Sequence, residues 1–294
     1  EKADVLIIFG NVESDLDFAF QDSGFAAENK VIEKKQDNKP EDGQKKDEKE
    51  NQIEHKDIIT GEKPDIFLNV PLKARAVYVF NLNKNTEIFG KNAGIKFPLA
   101  SIAKLITALT ALENFSPETE IVISESAVRR EGESGFFVNE KWRLIDLIDA
   151  MLINSLNDAA YAISEKFALE FSPKIITEFM NKKAENLETG ARFNNSSGLD
   201  INGNIAGAYG SAKDVSIFLK YILENNPRIL QKTKEKSIIL SSLSGESHEF
   251  LNTNIMLSEI PEIIAGKTGY TNLSGGNLAI IFEKTGGDKL EPVY

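Results

Sequence analysis

The chain has no cysteine among its 294 residues. Disulfide scaffolds, thiolate zinc sites, iron–sulfur clusters and cysteine nucleophiles are therefore excluded. Histidine is nearly as scarce: only His55 and His248 occur. A histidine-rich metal centre is out, and a Ser–His–Asp triad would have to use one of those two rings. No apolar run approaches the roughly 20 residues that span a bilayer, the stretch 5–9 being far too short. A basic patch is lacking as well, and the formal net charge of −11 argues against binding a nucleic-acid backbone. The chain opens on Glu1 and not on methionine, so an upstream signal or anchor outside it is expected. What remains for chemistry is hydroxyls, carboxylates, lysines and amides.

The charge is unevenly placed. Residues 1–29 carry seven acids and one lysine, with Phe9, Phe18, Phe20 and Phe25 among them. They read as a short docking segment or as the remainder of another domain. Residues 30–57 carry nine acids and eight lysines and no aromatic residue. Such a stretch cannot bury enough apolar surface to offset its ordering entropy, and it reads as a disordered, charge-balanced linker. Residues 1–64 are thus expected to lie outside a folded domain spanning 65–294.

Within 65–294 the pattern is globular. Residues 76–80 read as a strand and 87–89 as its hairpin partner. Residues 97–115 read as a helix beginning near Pro98, apolar on nearly every face and so buried at the centre. Helical periodicity returns at 144–153, 159–171 and 173–187, the last with Ser172 as N-cap and Gly190 beyond its end. Ser211 and Asp214 form a capping-box pattern at the head of a further helix. Residues 263–268 and 277–282 read as paired strands. Strands at both ends with helices between them predict an α/β (α+β) sandwich, an antiparallel sheet flanked by helices, with an all-helical subregion.

Three short motifs carry the chemistry. Ser101 and Lys104 stand three apart in the predicted buried helix, on one face and within mutual reach. A desolvated lysine has a lowered pKa, and its neutral amine can take a proton from serine. Ser and Lys three apart also occur by chance; the apolar neighbours Ile102, Ala103, Leu105 and Ile106 are what make this lysine notable. Ser155 and Asn157, between two apolar helices, can point into one cleft, although alone they read as ordinary turn and cap residues. Gly266-Lys267-Thr268-Gly269 ends an apolar strand. It is not a phosphate loop, because Pro261 stands where that loop needs a glycine and no helix is predicted to follow. It offers instead a cation and a hydroxyl for a substrate carboxylate, with a glycine that permits close approach.

Taken jointly, S-x-x-K at 101, S-x-N at 155 and K-T-G at 267 stand in the order of the penicillin-recognising serine acyl enzymes. Residues 76–282 resemble the serine-type D-alanyl-D-alanine carboxypeptidases, the low-molecular-mass penicillin-binding proteins. The resemblance is carried by FPLASIAKLITALTALE, LIDLIDAMLINSLNDAAYAISE, FMNKKAENLETGARFNNSSGLD, SAKDVSIFLKYIL and IIAGKTGYTNLSGGNLAI. It implies a β-lactamase/transpeptidase-like fold and a serine acyl-enzyme, without metal or cofactor. It further implies Ser101 as nucleophile, Lys104 as general base, and Ser155 and Lys267 as the relay to the leaving amine. Asn157 would bind the substrate amide and Thr268 the terminal carboxylate, beside Gly269. The backbone N–H groups of Ser101 and Tyr270 would form the oxyanion hole, whose donors are worth about 3–4 kcal/mol each in related acyl transfer. The implied substrate is a peptidoglycan stem peptide, with β-lactams as covalent inhibitors. The implied location is extracytoplasmic, tethered through an anchor outside this segment.

Three departures from the family are visible. Leu156 fills the middle of S-x-N where Gly or Ala is usual, which is expected to narrow the cleft. Ala208 stands where a histidine is common. A further strand and helix would follow residue 282 in the family, so the sequence reads as truncated. A β-lactamase, a peptidoglycan endopeptidase and a non-catalytic cell-wall sensor on the same fold are the competing readings. The β-lactamase reading needs a carboxylate to activate water. The downstream acids Glu165, Glu170, Glu178, Glu185 and Glu188 sit in carboxypeptidase-like text.

Overall fold

The computed structural model describes residues 4–9, 57–69, 71–132, 135–171, 175–260 and 262–283. In chain order the strands are β1 (Asp4–Phe9), β2 (Ile59–Thr60), β3 (Ala76–Asn81), β4 (Thr86–Lys91), β5 (Phe97–Pro98), β6 (Glu120–Val122), β7 (Lys141–Arg143), β8 (Arg192–Phe193), β9 (Ala208–Gly210), β10 (Ser237–Ser241), β11 (Ser247–Leu251), β12 (Ile263–Thr271) and β13 (Gly275–Phe282). The helices are α1 (Pro64–Leu68), α2 (Lys104–Asn114), α3 (Glu125–Val128), α4 (Leu144–Ile153), α5 (Asn157–Glu170), α6 (Ile175–Asn186) and α7 (Ala212–Asn225). A 3-10 turn, Ala100–Ala103, leads directly into α2.

The main sheet is antiparallel with strand order β12-β13-β1-β3-β4-β2. The β3–β4 and β12–β13 hairpins form where alternation predicts them, and β12–β13 is longer than its apolar cores because pairing continues to Thr271 and Gly275. Helix α7 packs on β1 and β3, while α2, α4, α5 and α6 pack together as the helical subregion. The mixed helix–sheet class read from the sequence is the class observed.

Helix α2 is the hub. Every residue from Lys104 to Ala111 is buried, so only the last turn of the helix meets water. Leu105, Ile106 and Leu109 share one core with Leu147 and Met151 of α4, Phe167 of α5 and Leu219 of α7. Truncating such a leucine to alanine costs about 2–5 kcal/mol. The helix starts later than the apolar pattern predicts. Phe97 and Pro98 are strand, paired with Gly210 and Tyr209, and Ala100 takes a left-handed φ of 46° that turns the chain into the 3-10 turn. The Ser211–Asp214 capping box forms in full at the head of α7. The predicted N-cap Ser172 lies outside the described residues.

The segment 1–64 is not wholly outside the domain. Backbone pairing places β1 inside the sheet, with Asp4–Phe9 registered against Phe282–Asn277 on one side and Asn81–Ala76 on the other. Its apolar residues 5–9 are too few to be told from a buried patch by composition, and the pairing that settles the matter is remote in sequence. Strand β2 also adds to the edge of β4. Residues 10–56, which include most of the predicted linker and His55, lie outside the described residues.

Candidate active site

The 3-10 turn presents Ser101, and α2 begins directly after that turn, at Lys104. The Lys104 side chain is fully buried. Its Nζ donates to Ser101 Oγ at 2.7 Å, to Asn157 Oδ1 at 2.8 Å and to the Ser197 carbonyl at 2.9 Å. Three acceptors fix the amine in place. Burial pushes its pKa well below the ordinary lysine value, the Lys267 charge pushes the same way, and the buried Asp158 carboxylate opposes them.

The second motif arrives through the α4–α5 turn. Ser155 adopts a left-handed φ of 64°, a conformation that costs a non-glycine residue on the order of 1 kcal/mol and is found at functional sites. Asn157 opens α5. Its Nδ2 donates to the Glu131 carbonyl at 2.7 Å, which leaves Oδ1 facing Lys104. Leu156 does not narrow the cleft as expected. It is 5% exposed and belongs to the hydrophobic core, because the turn sends alternate side chains to opposite sides.

The third motif lies on β12. Lys267 is 2% exposed, and its Nζ donates to Ser155 Oγ at 2.9 Å and to the Thr268 carbonyl at 2.8 Å. Burial lowers its pKa to about 7. Gly269 is where β12 meets the 3-10 turn: a Cβ there would lie 2.9 Å from the Ser101 nitrogen and 3.2 Å from Ala100 Cβ. Only glycine lets the strand cross so close. Tyr270 follows at the rim, 57% exposed. All eight motif residues named from the sequence therefore fall within one cluster of three elements.

Several contributors carry no motif signal. The Ser197 carbonyl is aimed by Asn195, whose Oδ1 accepts from the backbone N–H groups of Ser197 and Gly198. Gly198 has a φ of 81°, and a Cβ on it would collide with the Ala100 carbonyl. That glycine was the one available sequence signal for this loop. Asp200 accepts from Thr271 Oγ1 at 3.0 Å and from Leu273 N at 3.1 Å, pinning the β12–β13 turn. Of the downstream acids, Glu165 accepts from Ser124, Glu170 pairs with Lys166, and Glu185 pairs with Lys182 and Arg192. His248 is held by Glu140 at 2.7 Å among Phe136, Trp142 and Phe250. Among the described residues no group of three or more carboxylates and histidines could hold a metal ion.

Residues 63–288 match the peptidase S11 family, D-alanyl-D-alanine carboxypeptidase. The chain belongs to that family. It is a serine-type D-alanyl-D-alanine carboxypeptidase, a hydrolase. The sequence is 29% identical over 201 residues to the D-alanyl-D-alanine carboxypeptidase DacB2 of Mycobacterium tuberculosis, covering 68% of this chain and 67% of that one. It is 30% identical over 213 residues to a D-alanyl-D-alanine endopeptidase of Haemophilus influenzae, covering 71% and 70%. Among solved structures, a D-alanyl-D-alanine carboxypeptidase from Mycobacterium tuberculosis superposes with a TM-score of 0.61 at 25% identity, over 71% of this chain and 81% of that one.

Proposed function

We propose that the carboxypeptidase cleaves the terminal D-alanine from peptidoglycan stem peptides through an ester on Ser101. The supporting observation is the Lys104 amine, fully buried and 2.7 Å from Ser101 Oγ. Burial favours its neutral form, which takes the Ser101 proton as Oγ attacks the carbonyl carbon of the penultimate D-alanine. The backbone N–H groups of Ser101 and Tyr270 stabilise the oxyanion. As the tetrahedral intermediate collapses, the C–N bond breaks and the leaving amine takes a proton from Ser155 Oγ, which Lys267 replenishes. Water then hydrolyses the ester and frees Ser101. Asn157 holds the substrate amide, and Thr268 and Gly269 line the place of the terminal carboxylate.

A β-lactam offers the same carbonyl and carboxylate, so it acylates Ser101 and stays attached for minutes or longer. The test is incubation of the protein with a pentapeptide ending in D-Ala-D-Ala and, separately, with a fluorescent penicillin. D-alanine release together with a persistent penicilloyl adduct supports the reading. Catalytic turnover of penicillin without D-alanine release would overturn it in favour of a β-lactamase.

Crosslink cleavage is the second reading, favoured by the likeness to the Haemophilus influenzae endopeptidase. It is the same acyl transfer with a larger leaving amine, and a crosslinked peptide dimer as substrate tests it. The reading puts the enzyme outside the cytoplasm, where that substrate lies. Among the described residues no helix is long and apolar enough to cross a membrane.

A further inference from the structure

Thr253 belongs to no motif, yet its Oγ1 is hydrogen-bonded directly to Thr268 Oγ1. The contact is braced from both sides. Thr253 N donates to the Ile153 carbonyl at 3.1 Å, and Asn154 Nδ2 donates to the Leu251 carbonyl at 2.8 Å. These two bonds tie the segment after β11 to the turn that carries Ser155. Asn252 Nδ2 donates to the carbonyls of Thr233 and Glu235, at 2.8 and 2.9 Å. Thr233 Oγ1 in turn accepts from Gly266 N at 3.2 Å, on the strand that carries Thr268.

Each hydroxyl has one proton to give and can accept as well. With only each other, the two threonines spend one proton between them. A carboxylate has two acceptor oxygens and no donor, so both hydroxyls can rotate to donate, one to each oxygen. A primary amide offers one acceptor and two donors and cannot be matched in that way. The buried Lys267, whose Nζ rests on the Thr268 carbonyl, supplies positive charge on the same strand.

We propose that Thr253 is a specificity-determining residue, which with Thr268 forms a two-hydroxyl clamp for the terminal carboxylate of the substrate. This rests on the assignment of Thr268 to that carboxylate. The experiment compares Thr253→Val and Thr253→Ser in the whole chain on two peptides, one ending in a free D-alanine carboxylate and one in its amide. The wild-type enzyme prefers the free acid. In Thr253→Val that preference falls about tenfold, through KM and not kcat, and Thr253→Ser restores it. If the wild type shows no preference, the Thr268 assignment and the clamp both fail. If the wild type prefers the acid and Thr253→Val prefers it equally, the clamp alone fails. An equal loss on both peptides with a lowered Tm would make Thr253 a packing residue and also overturn the clamp. Thr253→Ala provides the same comparison should the valine variant not fold.

Discussion

Lys267 Nζ stands 2.9 Å from Ser155 Oγ although 112 residues separate them, and burial brings the loss of its proton to about pH 7. A proton relay to the leaving amine needs Lys267 charged, so kcat/KM should fall as pH rises through about 7. The kcat/KM profile reports the free enzyme and is the appropriate measurement. Arginine stays protonated throughout, so Lys267→Arg should lose that descending limb, whatever its absolute rate. A descending limb unchanged in the variant would remove Lys267 from the relay.

Asp158 bears on the other limb. Its carboxylate opposes the depression of the Lys104 pKa, and the base role proposed for Lys104 needs the neutral amine. Asp158→Asn removes a negative charge that favours the protonated amine, so the Lys104 pKa falls further. The ascending limb of β-lactam acylation should then move to lower pH. A shift toward higher pH would mean that the limb belongs to a different group.

Gly269 sets how closely β12 approaches Ser101. In Gly269→Ala the new methyl meets the Ser101 nitrogen at 2.9 Å and the Ile102 nitrogen at 3.2 Å, so strand and turn must separate. A displacement of about 1 Å can cost on the order of 100-fold in rate, and labelling by fluorescent penicillin should slow by about that factor. Wild-type labelling rates in Gly269→Ala would show that the approach is not needed for acylation.

Local chemistry made much of this legible from the sequence. Ser101 and Lys104 lie within one helical turn, so spacing alone predicts their contact. The Ser211–Asp214 box and the two hairpins are equally local. Contributions from distant backbone were hidden. The Ser197 and Glu131 carbonyls that orient Lys104 and Asn157 carry no residue signature, and only Gly198 hints at the first of them. The side to which Leu156 turns depends on the left-handed Ser155 before it, and the late start of α2 depends on pairing of Phe97–Pro98 with β9. Strand β1 is hidden for the same reason: six residues reveal their partners only when β3 and β13 are already in place.

That strand has a consequence for truncation. Without β1, the β12–β13 hairpin that carries Lys267, Thr268 and Gly269 has no neighbour linking it to β3–β4–β2. A chain beginning at Asp57 should therefore show a lower Tm and weaker penicillin labelling than one that keeps residues 1–56. Equal stability and labelling in the two would show that β1 contributes nothing to the sheet in solution.

The central claim is that Ser101 is the residue acylated, with Lys104 as its base. The direct measurement is peptide mapping by mass spectrometry after reaction with penicillin, on the wild type and on Ser101→Ala. The penicilloyl mass should fall on the peptide containing Ser101, and Ser101→Ala should carry none while keeping the wild-type circular dichroism spectrum. An adduct on any other residue, or one that persists in Ser101→Ala, would contradict the account.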